Sequence, residues 1–219
     1  MNTIVFDLDG TLLDSAPDII ASLECALKTA GIEFIGPISS SIIGPPVQSM
    51  IERLGLKRTN EQELQAIKLF RQFYDSSIMP FTRPYFGAAN LLIALKRQGW
   101  KIFLATNKPT IPTTRLLNIF FDGLIDDFCC VDTVIDRKLS KREMLVELTA
   151  KYCLQPEFSI MVGDSSADIK AGREMGWKTI AVEWGYGTQA ELRLAEPTHL
   201  VGKMQDILDF IKNIELLHK

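Results

Sequence analysis

Short apolar runs alternate along this chain with longer segments whose apolar positions recur at helical spacing. That alternation predicts β–α units around a parallel sheet, because a strand covered on both faces reads as a continuous apolar run. Residues 3–6 form the first predicted strand and residues 102–105, Ile102-Phe103-Leu104-Ala105, another. Residues 159–162 and 179–182 follow, with a weaker candidate at 128–131. Helices are predicted over 85–98, 140–152, 167–175 and 204–217, and Gly99 and Gly176 stand where helix C-caps are expected.

Residues 15–82 break the alternation. They read as helices in succession, over 17–29, 47–54 and 61–76, punctuated by Gly31, Gly36-Pro37, Gly44-Pro45-Pro46 and Met79-Pro80. No strand pattern interrupts them. The expected fold class is therefore α/β: a Rossmann-like parallel sheet core, residues 1–14 and 83–219, with a small all-helical cap domain, residues 15–82, inserted after the first strand.

Composition narrows the function classes. The 219 residues are 47% hydrophobic and 23% charged, enough apolar content for a real core and against disorder. A formal net charge of −3 gives no footprint for nucleic acid and no polybasic segment for an anionic membrane. No apolar run reaches membrane-spanning length, and the first residues carry no signal-peptide pattern. The cysteines, Cys25, Cys129, Cys130 and Cys153, lack metal-site spacing, so a reducing cytoplasm is the expected setting.

Polar residues gather at three strand ends, where open parallel sheets place their ligands. The first strand runs into Asp7-Leu8-Asp9-Gly10-Thr11-Leu12-Leu13-Asp14-Ser15, the second into Thr106-Asn107-Lys108-Pro109, and a third into Gly163-Asp164-Ser165-Ser166-Ala167-Asp168. Each has a plain structural reading. Ser165 with Asp168, and Ser140 with Glu143, have capping-box spacing. Lys141 would be one more surface lysine, except that a cation in the first helical turn opposes the helix dipole. His199 and His218 receive no role.

Taken together, these runs resemble the four motifs of the haloacid dehalogenase superfamily, in its phosphoglycolate-phosphatase-like branch. The resemblance extends through Arg83-Pro84-Tyr85, Leu91-Leu92, Leu95, Gly99 and Trp184-Gly185-Tyr186-Gly187. It departs at the third motif, where many relatives have a Lys-Pro pair and this chain reads Arg137-Lys138-Leu139-Ser140-Lys141-Arg142. A subset of relatives has a similar Leu-Ser form without that proline. Lys141 is taken as the motif lysine, with Lys138 as the alternative.

The resemblance implies a phosphatase acting on a small phosphorylated metabolite. Asp7 would attack phosphorus, and Asp9 would protonate the leaving oxygen and then activate water. Two residues apart on an extended strand, the two acids share a face. Thr106 and Asn107 would bind the phosphoryl group, and Lys141 would hold the nucleophile ionised. The charge count asks for a metal: two like charges about 4 Å apart repel by roughly 4 kcal/mol at an effective dielectric near 20. All-oxygen ligands select Mg2+, which Asp7, the Asp9 carbonyl and Asp164 would hold, with Asp168 binding directly or through water. Gly44, Pro45 and Pro46 resemble the cap loop that faces the site and sets specificity. The favoured substrate is 2-phosphoglycolate; pyrophosphate, nucleoside monophosphates and sugar phosphates are the alternatives. A phosphomutase, a haloacid dehalogenase and a non-catalytic binding module are weaker readings, and the expected state is monomer or homodimer.

Overall fold

The computed structural model describes residues 2–217, so His218 lies outside the described residues. In chain order, strand β1 (Thr3–Phe6) is followed by β2 (Leu13–Asp14) and helices α1 (Ala16–Thr29), α2 (Val47–Arg53) and α3 (Asn60–Ser76). Next come β3 (Arg83–Pro84), α4 (Ala88–Arg97), β4 (Lys101–Thr106), α5 (Thr110–Phe120), β5 (Asp127–Cys130) and α6 (Lys141–Tyr152). The chain continues through β6 (Ser159–Gly163), α7 (Ser166–Glu174), β7 (Lys178–Val182), α8 (Gln189–Leu194), β8 (His199–Val201) and α9 (Met204–Leu217).

Among the described residues, six strands form one parallel sheet in the order β5-β4-β1-β6-β7-β8. Alternate residues of each strand face opposite sides. Ile4, Phe6, Ile102, Leu104, Ile160 and Val162 share one apolar cluster with Leu91, Leu92 and Leu95 of α4 and with Ile207 and Ile211 of α9. Val5, Phe103, Ala105 and Met161 pack on the other side with Met144, Leu145 and Leu148 of α6. β1 is flanked by β4 on one side and β6 on the other, and chain order runs outward from it in both directions. The carboxyl end of β1 therefore opens into the crevice where such sheets take ligands.

Between β2 and β3 the regular elements are helical: α1, a 3-10 turn at Ser40–Ile42, α2 and α3. Pro17 occupies the first turn of α1, where its missing N–H costs nothing, and Thr59 with Gln62 closes a capping box on α3. Leu23 and Leu27 of α1 share the large apolar cluster with Ala66, Phe70 and Tyr74 of α3.

The structure adds elements that the apolar pattern does not single out. α5 opens on Thr110-Ile111-Pro112-Thr113-Thr114, whose β-branched residues and proline are poor helix formers and mask the periodicity. α8 and β8 are too short to show a period. β2 and β3, two residues each, pair antiparallel as a ribbon joining the helical block to the sheet. The fourth helix starts at Ala88 rather than at 85, because Gly87 has φ +87° and ends the preceding turn. The weak strand candidate forms one residue earlier, at Asp127–Cys130.

Candidate active site

Asp7 directly follows β1, and its N–H continues the ladder by donating to Val162 O at 2.9 Å. The chain then turns at Gly10, whose φ is +87°. A Cβ there would stand 2.2 Å from Asp164 Oδ2, so both the backbone conformation and the close packing require glycine. The turn returns Thr11 to donate its hydroxyl to Asp164 Oδ1 at 3.1 Å. Tyr186 N–H donates to the other oxygen of Asp164 at 2.7 Å.

Lys141, the first residue of α6, turns its side chain inward and is 6% exposed. Its Nζ donates to Asp7 Oδ1 at 2.7 Å and to Ala105 O at 2.6 Å, and lies 3.0 Å from Asp168 Oδ1. Those anionic partners explain a cation at a helix N-terminus. Lys138 is exposed and lines the cavity outside this cluster.

Asp168 has two functions in the structure. Its Oδ2 accepts from Ser165 Oγ at 2.6 Å and from Ser165 N–H at 3.1 Å, completing the capping box of α7. Its Oδ1 faces Lys141 but is buried without a hydrogen bond.

Asp7, Asp164 and Asp168 each offer an oxygen, and these atoms lie within 4.8 Å of one another. Burial pushes the Asp7 carboxyl well above the ordinary value, against the pull of Lys141 and with the push of Asp168 and Asp164. Burial and then Asp168 push Asp164 up to about 7, against the Tyr186 and Thr11 hydrogen bonds. Lys141 goes up as well: burial opposes its charge, and the carboxylates of Asp168 and Asp7 outweigh it. Three buried carboxylates with one ammonium among them leave an unmet demand for positive charge. An all-oxygen donor set with one ligand atom free of hydrogen bonds fits a hard divalent cation such as Mg2+.

Around this cluster lies a cavity of about 100 Å³, lined by Asp7, Asp9, Thr106, Asn107 and Lys108 from the sheet side and by Gly44, Pro45, Pro46, Phe70 and Tyr74 from the helical block. Thr106 is buried, and its Oγ1 accepts from Lys108 N–H at 3.1 Å, leaving its proton to donate. Asn107 Nδ2 donates to Gly44 O at 2.7 Å, tying the loop of the helical block to the sheet. Asp9 accepts from Ser15 Oγ at 2.5 Å through Oδ1 and meets Lys108 Nζ at 3.0 Å through Oδ2.

Of the candidate site residues, Asp7, Asp9, Thr106, Asn107, Gly44, Pro45 and Pro46 thus line one cavity, and Lys141, Asp164 and Asp168 gather around Asp7. The sequence reading gives no role to Lys108 and Tyr74, which touch each other, Lys108 also meeting Asp9. The signal for Lys108 is its place directly after Thr106-Asn107; nothing local marks Tyr74, which reads as one more apolar position on α3.

The sequence model of the haloacid dehalogenase-like hydrolases matches residues 4–182. The chain is 33% identical over 217 residues to the phosphoglycolate phosphatase of Aquifex aeolicus, covering 97% of this chain and 98% of that one. It is 30% identical to the pyrophosphatase PpaX of Anoxybacillus flavithermus, covering 96% and 97%. It is 32% identical to the tyrosine-protein kinase PtkA of Mycobacterium tuberculosis over 84% of this chain but only 62% of that one. A crystal structure described as a predicted phosphatase from Clostridium acetobutylicum superposes with a TM-score of 0.86 at 27% identity, covering 97% and 98%. The chain belongs to the haloacid dehalogenase-like hydrolases, in their phosphoglycolate-phosphatase-like branch.

Proposed function

We propose that this hydrolase is a magnesium-dependent phosphatase of small phosphate monoesters, working through an aspartyl-phosphate on Asp7, with 2-phosphoglycolate as its favoured substrate. One observation carries the reading: Asp7 is fixed by Lys141 at 2.7 Å at the floor of a small cavity, with Asp9 on the wall of the same cavity. The near full-length likeness to a phosphoglycolate phosphatase supports the substrate.

Asp7 attacks phosphorus while Asp9 gives a proton to the leaving oxygen. Asp9 then takes a proton from the water that cleaves the aspartyl-phosphate, and inorganic phosphate leaves. The Thr106 hydroxyl and the second hydrogen of the Asn107 amide donate to phosphoryl oxygens, and Lys141 offsets charge at the nucleophile. Asp7, the Asp9 carbonyl, Asp164 and Asp168 would hold Mg2+, which would offset charge on the phosphoryl group. Residues 15–82 act as a cap that excludes water during transfer, with Gly44, Pro45 and Pro46 against the leaving group. The proposed setting is the cytoplasm, with monomer or homodimer acting on a free metabolite and neither nucleic acid nor membrane as partner. Among the described residues no helix is long and apolar enough to cross a membrane, and all four cysteines are free.

The test is phosphate release with Mg2+ over a panel holding 2-phosphoglycolate, pyrophosphate, nucleoside monophosphates, sugar phosphates and an aryl phosphate. Release that Asp7→Asn and Asp9→Asn both abolish, with the fold intact by circular dichroism, is expected. Silence across the whole panel overturns the reading, and an active Asp7→Asn overturns the nucleophile.

A further inference from the structure

Among the described residues, one buried cation takes no part in that mechanism. Lys108 is 5% exposed, its Nζ stands 3.0 Å from Asp9 Oδ2, and it donates to the Tyr74 hydroxyl. The same ammonium lies over the Tyr74 ring, 4.4 Å from its centroid. Asp9 and Lys108 belong to the loops that follow the carboxyl ends of the neighbouring strands β1 and β4, whereas Tyr74 belongs to α3 of the helical block. We propose that Lys108 is a positioning residue which, seated against Tyr74, sets the Asp9 carboxyl for proton transfer only while the cap is closed. This inference rests on the phosphatase reading.

Burying an ammonium is costly unless every side of it is answered. Here the answer comes from both halves of the molecule: a carboxylate from the sheet, and a phenol oxygen and a ring face from the cap. The other Asp9 oxygen is held by Ser15 Oγ, at the N-cap of α1, where the chain enters the helical block. Both oxygens of Asp9 are therefore held by groups that belong to the cap or touch it. Lifting α3 would remove Tyr74 from Lys108 and return the ammonium to water, which would free Asp9 Oδ2 to swing. A misplacement of about 1 Å at such a group costs on the order of 100-fold in rate. Lys108 contacts Asp9 and Tyr74, whereas Lys141 holds Asp7 and Asp168, so the two buried lysines serve different acids.

The experiment compares kcat/KM of the Mg2+-loaded enzyme on three esters. 4-Nitrophenyl phosphate has a leaving oxygen that needs little proton, ethyl phosphate has a neutral leaving group that needs one, and 2-phosphoglycolate needs one and carries a carboxylate. If Lys108 acts through Asp9, Lys108→Met lowers kcat/KM on both alkyl esters by about 10-fold or more and on the aryl ester by much less. Tyr74→Phe, which keeps the ring and removes only the hydroxyl, shows the same pattern at smaller size. A loss confined to 2-phosphoglycolate would mean that Lys108 grips the substrate carboxylate, and an equal loss on all three would mean a merely structural role. Either overturns the proposal while leaving the phosphatase reading in place. Should Lys108→Met not fold, the Tyr74→Phe pattern decides alone. A wild-type enzyme that releases no phosphate sinks the parent reading and this one with it.

Discussion

Asp164 sits in the tightest packing of the site. Besides Gly10, Gly185 and Gly187 press against it: a Cβ on Gly185 would fall 2.2 Å from Asp164 Cβ, and one on Gly187 would fall 2.0 Å from its carbonyl oxygen. The run Trp184-Gly185-Tyr186-Gly187 is thus a mould around one carboxylate, with Tyr186 N–H fixing its Oδ2. Overpacking a filled site costs roughly 1–3 kcal/mol, and displaced supporting groups at metal ligands cost about 10–100-fold in affinity. Gly185→Ala is expected to raise the Mg2+ concentration for half-maximal activity by about 10-fold, as read by magnesium titration of phosphate release. An unchanged titration would show that this mould does not orient the ligand.

At the scale of elements, the join between the sheet and the helical block is the paired ribbon of β2 and β3. Asp18, in the first turn of α1 and 4% exposed, locks the far side of that join. Its Oδ2 accepts from Thr82 N–H at 2.6 Å, from Thr82 Oγ1 at 2.7 Å and from Phe81 N–H at 3.1 Å. The Tyr186 hydroxyl accepts from the N–H groups of Ser15 and Ala16, both at 2.9 Å, on the near side. Asp18→Ala would leave buried donors unanswered and is expected to cost about 2–4 kcal/mol in a urea melt, taking charged hydrogen bonds at about 1.5–3 kcal/mol.

Asp126 plays the same pinning part for β4. Partial burial works against its charge, but the Ile102 N–H at 2.8 Å and the ammoniums of Lys96 and Lys101 hold its carboxyl below the usual range. A carboxyl depressed in the folded state stabilises above its unfolded pKa of about 3.9, and that contribution is lost as pH falls through the lower folded value. The stability gap between wild type and Asp126→Asn should therefore be widest near neutrality and close in acid. A gap equally wide at both ends would assign it to geometry rather than charge.

At the scale of the whole molecule, a cation bound to the folded state alone raises stability by mass action. At 100 times its dissociation constant the gain is about 2.7 kcal/mol. For a chain of 219 residues, at roughly 2–4 °C per kcal/mol, the unfolding midpoint should rise by about 5–10 °C with saturating Mg2+. Asp164→Asn should remove that rise. Calorimetry with and without Mg2+ reads it without any substrate, so it tests the metal separately from the reaction.

The sequence by itself determined the sheet strands with continuous apolar runs, the helical character of the stretch between β2 and β3, and the three polar strand ends. Each is a local pattern: apolar runs reflect burial on both faces, and acids at strand ends reflect where such sheets leave an open crevice. Tertiary structure decided what local pattern cannot carry. It put Lys141 rather than Lys138 against Asp7, because the first turn of α6 faces the end of β1. It gave Asp168 both a helix cap and a place in the acidic cluster, two readings that capping-box spacing alone sets in competition. It brought Tyr74 to Lys108 across 34 positions of chain, and Tyr186 to Asp14 and Ser15 across more than 170. Contacts of that kind depend on how the helical block settles on the sheet, and no periodicity along the chain records it.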